Sequence, residues 1–206
     1  MIIGKYKTLD AKRLQPIIDY LLNENNSAYH STGTHKHIRL DVKERGINDF
    51  WLNHSDLYDY IEKNVYPEHA PITGAWCKVF TADTTTGPTN KGEFMALHQD
   101  MEYEYPKDDN SIIHTTSILL HRSEDAIGGY NVLAGDSQFQ GERETRFKDT
   151  RDIMSRLVVE NLTVPGESMV WNGFTMHGVS EMTRGKRMAL VVIKKTPFNE
   201  EYFKSG

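Results

Sequence analysis

The chain has 206 residues, 38% hydrophobic and 26% charged, with a formal net charge of −5, which suits one domain with a substantial core and is short for two. The acidic balance argues against a broad nucleic-acid surface, which needs clustered Lys and Arg, and no stretch approaches the roughly 20 apolar residues of a membrane-spanning helix. The single cysteine, Cys77, rules out an intrachain disulfide; together with a start at Met1–Lys7 that lacks the apolar core of a signal peptide, it points to the cytoplasm.

Leu9, Leu14, Ile17, Ile18, Leu21 and Leu22 recur at helical spacing, so residues 8–23 are expected to form an amphipathic helix capped by Thr8 and disturbed at Pro16. Next come His30, His35 and His37, then a short strand at Ile38–Val42. His35 and His37 have metal-ligand spacing but no carboxylate or cysteine beside them, and a polar loop at a substrate entrance is the preferred reading. A second helix is expected over 56–64, with Ser55 as cap, Leu57, Tyr60 and Ile61 facing inward and Pro67 beyond its end. From Ile72 the pattern turns to strands: 72–81, a Thr/Gly/Pro-rich loop from Ala82 to Gly92, then a strand over 93–100.

The acidic run 101–110, carrying Tyr103 and Tyr105, reads either as a lid or as a solvated connection. Ser111–His121 alternates with apolar residues on both faces, as a strand covered on both sides would. In it Thr116 and Ser117 are each candidate hydroxyl donors to a ligand, while His114 and His121 read as structural. Gly128–Gly129 marks a tight turn into a strand, and 138–156, nearly balanced in charge, a solvated insertion. A strand over 157–163, a turn at Pro165–Gly166 and an antiparallel partner over 167–171 then lead to His177. No internal repeat is present.

Helices giving way to short strands imply helices packed on one side of a β-barrel or sandwich. On a strand, His98 and Asp100 share a face and Gln99 points the other way. With His177, two imidazoles and a carboxylate on one face of an octahedron leave three positions open, the facial triad of non-haem Fe(II) oxygenases.

These residues, with the run Val164–Asn172, His177-Gly178-Val179 and Gly185-Lys186-Arg187 leading into Met188–Val192, resemble the Fe(II)/2-oxoglutarate-dependent dioxygenases, most closely their prolyl-4-hydroxylase-like branch. The resemblance covers roughly residues 93–195. It implies a mainly β fold, the double-stranded β-helix (jelly roll, cupin-like barrel), with support helices in 1–71, the catalytic core in 72–195 and a tail over 196–206 of a single domain. It further implies that His98, Asp100 and His177 hold Fe(II), and that Arg187 binds the distal carboxylate of 2-oxoglutarate through its bidentate fork. Dioxygen is the third reactant, ascorbate an optional addition, and the product a hydroxylated C–H bond, with succinate and carbon dioxide released. The substrate would be a small molecule or a peptide, with a prolyl residue leading.

Three departures stand out. Ala189 occupies a position where the family often carries Ser or Thr, and Met95 one where many prolyl hydroxylases carry tyrosine. Asn131 likewise replaces an apolar residue in the Gly-Gly region. Two other classes stay open: a metal cupin acting as hydrolase or isomerase, which has no need of Arg187, and a catalytically silent binding module on the same barrel. No stretch speaks to oligomeric state.

Overall fold

The computed structural model describes residues 4–22, 30–31, 36–40, 50–82, 94–100, 111–134, 157–173 and 175–197. The readings for 83–92, 101–110 and 138–156, and those for Tyr103, Tyr105 and His35, lie outside the described residues.

The first described element is a strand, β1 (Gly4–Thr8), not the start of a helix. Thr8 therefore pairs with Glu167 in a sheet instead of capping. Helix α1 (Ala11–Leu22) begins beyond it. Its cap is Asp10, whose carboxylate accepts the Lys12 amide at 2.9 Å and so satisfies one of the free N-terminal donors. Leu14, Ile17 and Leu21 bury one face, while Pro16 stays inside the helix at the cost of one hydrogen bond.

Strands β2 (His30–Ser31) and β3 (Lys36–Arg39) precede helices α2 (Phe50–Asn53) and α3 (Ser55–Asn64). At α3 the capping position is His54, without a side-chain bond, and the buried residues are Leu57, Tyr58 and Ile61. Tyr60 sits at the edge of this stripe. Its hydroxyl accepts the Asp10 amide at 2.8 Å, which ties α3 to the start of α1.

The remaining strands are β4 (Ile72–Thr81), β5 (Met95–His98), β6 (Ser111–Arg122), β7 (Ile127–Gly128), β8 (Asn131–Ala134), β9 (Leu157–Glu160), β10 (Glu167–Asn172), β11 (His177–Val179), β12 (Met182–Arg184) and β13 (Lys186–Pro197). They build an antiparallel seven-stranded sheet in the order β1-β10-β6-β13-β4-β3-β2 and a four-stranded sheet in the order β5-β11-β8-β9, with β12 and β7 as a separate pair. Along the chain the strands pass back and forth between the two sheets, so the architecture is the expected double-stranded β-helix.

One expected pairing does not form. Residues 157–163 and 167–171 are not a hairpin: β9 pairs with β8, and β10 lies between β1 and β6. The Pro165–Gly166 turn instead carries the chain from the small sheet to the large one. Burial explains the crossing, since Leu162, Met169 and Trp171 pack with Leu119 and Leu133 in one cluster. Glu167 fastens the turn by accepting the amides of Thr163 at 2.7 Å and Val164 at 3.0 Å.

Strand β6 shows how the layers divide. Ile118 and Leu120 join Leu14, Ile17, Ile61, Leu190 and Val192 in the core under the helices. On the opposite face, Leu119 packs between the sheets and Thr115 and Ser117 line a cavity. From β13, Lys194 donates to the carbonyls of Glu62, Val65 and Pro67 at 2.5–2.9 Å, pinning the end of α3 to the sheet. Among the described residues no helix is long and apolar enough to cross a membrane.

Candidate active site

Strand β5 ends at His98, short of the expected 93–100. Asp100 follows in a bend, behind the buried Gln99. Strand alternation is therefore not what brings Asp100 to His98. A contact from the large sheet fixes it: Thr115 Oγ1 donates to Asp100 Oδ2 at 2.6 Å. His177 arrives on β11, directly opposite His98 across the ladder. One potential ligand atom from each of His98, Asp100 and His177 lies within 4.8 Å of the others.

The two imidazoles are held in the same way. His98 Nδ1 lies 2.8 Å from the Ala96 carbonyl, and His177 Nδ1 lies 2.9 Å from the Thr175 carbonyl. A carbonyl oxygen only accepts, so in each ring Nδ1 carries a proton and Nε2 is the atom turned toward the shared space. The two Nε2 atoms face the two oxygens of Asp100, at 3.9 Å from Oδ1 for His98 and 3.6 Å from Oδ2 for His177. Burial pushes the His177 imidazole down, against the pull of Asp100, and keeps it neutral. Burial raises the Asp100 carboxyl, but the charge of the facing histidines whenever they are protonated, the Thr115 hydroxyl and the Lys78 ammonium outweigh it, so Asp100 lies below the usual carboxylate range. Two imidazoles and one carboxylate, each oriented by a further hydrogen bond, are a donor set that suits a divalent transition metal.

Arg187 lies deeper in the same space, 2% exposed. Its Nη2 donates to Asn131 Oδ1 at 2.9 Å, and its guanidinium stands 5.7 Å from the centre of the Phe80 ring. Burial, then Arg122, lower its pKa to about 10, so it stays charged at neutral pH. Asn131 Nδ2 is buried and, among the described residues, has no hydrogen-bond partner. A buried cation without a carboxylate, beside a buried donor without an acceptor, is a receptor for an anion.

The cavity that joins these groups has a volume of about 240 Å³. Of the four residues singled out from the sequence, Asp100, His177 and Arg187 line this one space, and His98 stands beside it with its ring centre 4.3 Å from that of His177. Of the two candidate hydroxyls, Ser117 lines the cavity, whereas Thr116 points to the other face of β6 with its hydroxyl buried. His37 also lines it. His114 lies on the face turned away, bonded to Thr196 Oγ1 at 2.8 Å.

Sequence reasoning missed the roles of Thr115, Asn131 and Lys78. For Lys78 a signal was present: it is the one charged residue in the otherwise uncharged run of β4, ITGAWCKVFT. Period-two alternation puts it on the cavity side with Trp76 and Phe80.

No family model and no curated protein sequence matches the chain. Solved structures do. An oxidoreductase of the 2OG-Fe(II) oxygenase family from Burkholderia pseudomallei is 15% identical over 90% of this chain and 79% of that one, with a TM-score of 0.54. A viral collagen prolyl hydroxylase from Paramecium bursaria Chlorella virus-1, in complex with 2OG, is 10% identical over 94% and 96%, with a TM-score of 0.53. A prolyl hydroxylase from Trichoplax adhaerens, bound to a hypoxia inducible factor peptide fragment, is 12% identical over 97% and 84%, with a TM-score of 0.51. At these identities the likeness is one of fold, and it agrees with the strand topology of the two sheets.

Proposed function

We propose that the chain is an Fe(II)- and 2-oxoglutarate-dependent dioxygenase that hydroxylates an unactivated C–H bond. The observation that carries this reading is the joint occurrence, in one cavity, of Asp100, His177 and the Arg187–Asn131 anion receptor, with His98 completing the ligand set beside it. A hydrolase or isomerase built on the same three ligands would leave Arg187 buried for nothing, and burying an unpaired cation is costly.

The donor set fits iron. His98 Nε2, His177 Nε2 and an Asp100 oxygen would hold it, leaving positions for a chelating cosubstrate and dioxygen. Bound iron supplies the redox chemistry, coupling decarboxylation of 2-oxoglutarate to oxidation of the substrate. Arg187 binds the distal carboxylate, and the free Nδ2–H of Asn131 offers it a second donor. Thr115 occupies a lone pair of Asp100 Oδ2 and so fixes how the carboxylate meets the metal. Phe80, Trp171 and Val179 supply apolar wall that keeps water from the reacting centre.

The resemblance of the triad region and the peptide-bound Trichoplax fold relative support a small-molecule or peptide substrate, with a prolyl residue leading. A reducing, cytoplasmic setting rests on the single, buried Cys77. In an anaerobic titration of apo-protein with Fe(II) and 2-oxoglutarate, the visible charge-transfer band of the chelate is expected. His177→Ala removes it, and Arg187→Ala shifts it to at least roughly tenfold higher cosubstrate, as loss of a charged hydrogen-bonded pair implies. Absence of the band at saturating iron and cosubstrate would overturn the reading.

A further inference from the structure

Lys78 is a cation in the cavity that nothing so far explains. Among the described residues the one polar contact of its ammonium is the sulfur of Met95, at 3.0 Å. A thioether is a weak acceptor that carries no charge. Lys78 also lines the cavity that holds Arg187 and Asp100. Lysines with no better partner ordinarily extend into water; this one is retained inside, where burial lowers its pKa and Asp100 offsets part of that loss.

Its position is informative. On the cavity face of β13, Arg187 lies opposite Phe80, Ala189 opposite Lys78, Val191 opposite Trp76, and Ile193 opposite Gly74. On the other edge of β13, Ile193 is opposite Thr115, the residue that holds Asp100. Moving from Arg187 toward the triad, Lys78 is therefore the first polar side chain of β4, about 7 Å along the strand by its rise per residue. The Met95 sulfur it touches lies at the start of β5, where Met95 packs beside Phe80 and Val179, so the contact holds the ammonium inside the cavity, between Arg187 and the triad. Of its two charged neighbours in the cavity, Asp100 acts on it more strongly than Arg187. Two of the three departures from the family pattern, Met95 and Ala189, border it: one gives a soft contact, the other, with no side chain beyond Cβ, leaves room.

We propose that Lys78 is a second carboxylate-binding residue, pairing with the carboxylate at the metal end of the cosubstrate while Arg187 takes the distal one. This rests on the dioxygenase reading. The two cations then read the length of a dicarboxylate, one at each end, and Lys78 supplies a donor at a place where neither Met95 nor Ala189 can.

The test uses Trp76 and Trp171, which both line the cavity, as fluorescent reporters of binding to anaerobic, Fe(II)-loaded full-length protein. Two probes are titrated: 2-oxoglutarate, and 2-oxobutanoate, which keeps the keto acid end and lacks the distal carboxylate. Lys78→Met, which keeps the length and loses the charge, is expected to weaken both probes by a similar factor, roughly tenfold or more. Arg187→Met weakens 2-oxoglutarate alone, and Lys78→Arg recovers part of the loss. Thermal melts of each variant exclude loss of fold as the cause. If Lys78→Met leaves both dissociation constants within about twofold of the native values, or weakens 2-oxoglutarate alone, the proposal is overturned. Failure of the native protein to bind 2-oxoglutarate would instead count against the dioxygenase reading itself.

Discussion

At the scale of single residues, the metal-binding candidates were legible because their identity and spacing carry the information. His98, Asp100, His177 and Arg187 fall in a pattern that few other chemistries need. Asn131, Thr115 and Lys78 were not legible as partners, because each meets a neighbour on another strand: β8 against β13, β6 against the bend after β5, β4 against β5. Asn131, which in sequence is only a departure from an apolar position, holds Arg187 Nη2 at 2.9 Å and leaves Nδ2 free. Replacing it removes the acceptor that orients the guanidinium and the donor beside it. Asn131→Ala is therefore expected to raise the 2-oxoglutarate dissociation constant roughly tenfold, the worth of one or two hydrogen bonds to charged groups. The same tryptophan titration checks it; an unchanged constant would mean that Asn131 serves only the packing around Arg187.

At the scale of elements, the two long central strands were read closely, while β1 was missed, β3 begins two residues before the expected Ile38, and β5 and β9 are shorter than expected. Ile72–Thr81 was placed to the residue, and 111–121 missed one residue at its end. Alternation marks a strand, yet it does not say which neighbour the strand pairs with, and 157–163 followed by 167–171 has the local look of a hairpin. What overrides it is burial on both sides of the turn, with Leu162 and Met169 in the same cluster between the sheets. Gly166 is the hinge of that crossing. Its φ is +92°, its amide donates to the Leu119 carbonyl at 2.7 Å, and its carbonyl accepts the Leu9 amide at 2.8 Å. A Cβ there would stand 2.1 Å from the Leu9 carbonyl oxygen. Gly166→Ala combines a left-handed backbone with a backbone clash, so a loss of about 1–3 kcal/mol is expected. The midpoint of urea unfolding measures it directly, and a midpoint equal to that of the native protein would show that the β9–β10 crossing yields freely.

At the scale of the whole molecule, the large sheet separates two environments: the helical layer with its apolar core on one side, the cavity and the small sheet on the other. That division gives the histidines opposite duties, and pH can separate them. His114 belongs to the helical side, with Thr196 on Nε2 and the Tyr66 ring edge-on at 5.3 Å. Burial, then His69, hold its pKa at about 4, below the ordinary 6.5. Because the folded value is the lower one, the unfolded chain binds more protons between the two, and stability falls as pH falls through that window. Above pH 6.5 the group is neutral in both states and contributes no pH dependence; below about 4 the loss is complete and levels off. His177 has the same sign on the other side of the sheet, so the native profile alone would mix the two. Urea midpoints of chelator-stripped protein from pH 7 to pH 4 should therefore be compared with those of His114→Gln, which keeps an amide for Thr196 and does not titrate. The variant is expected to lose less stability over this range while His177 still contributes in both. Equal slopes would place the acid sensitivity in the cavity, and metal loading, which blocks protonation of His177, would then be expected to flatten the profile of the native protein by itself.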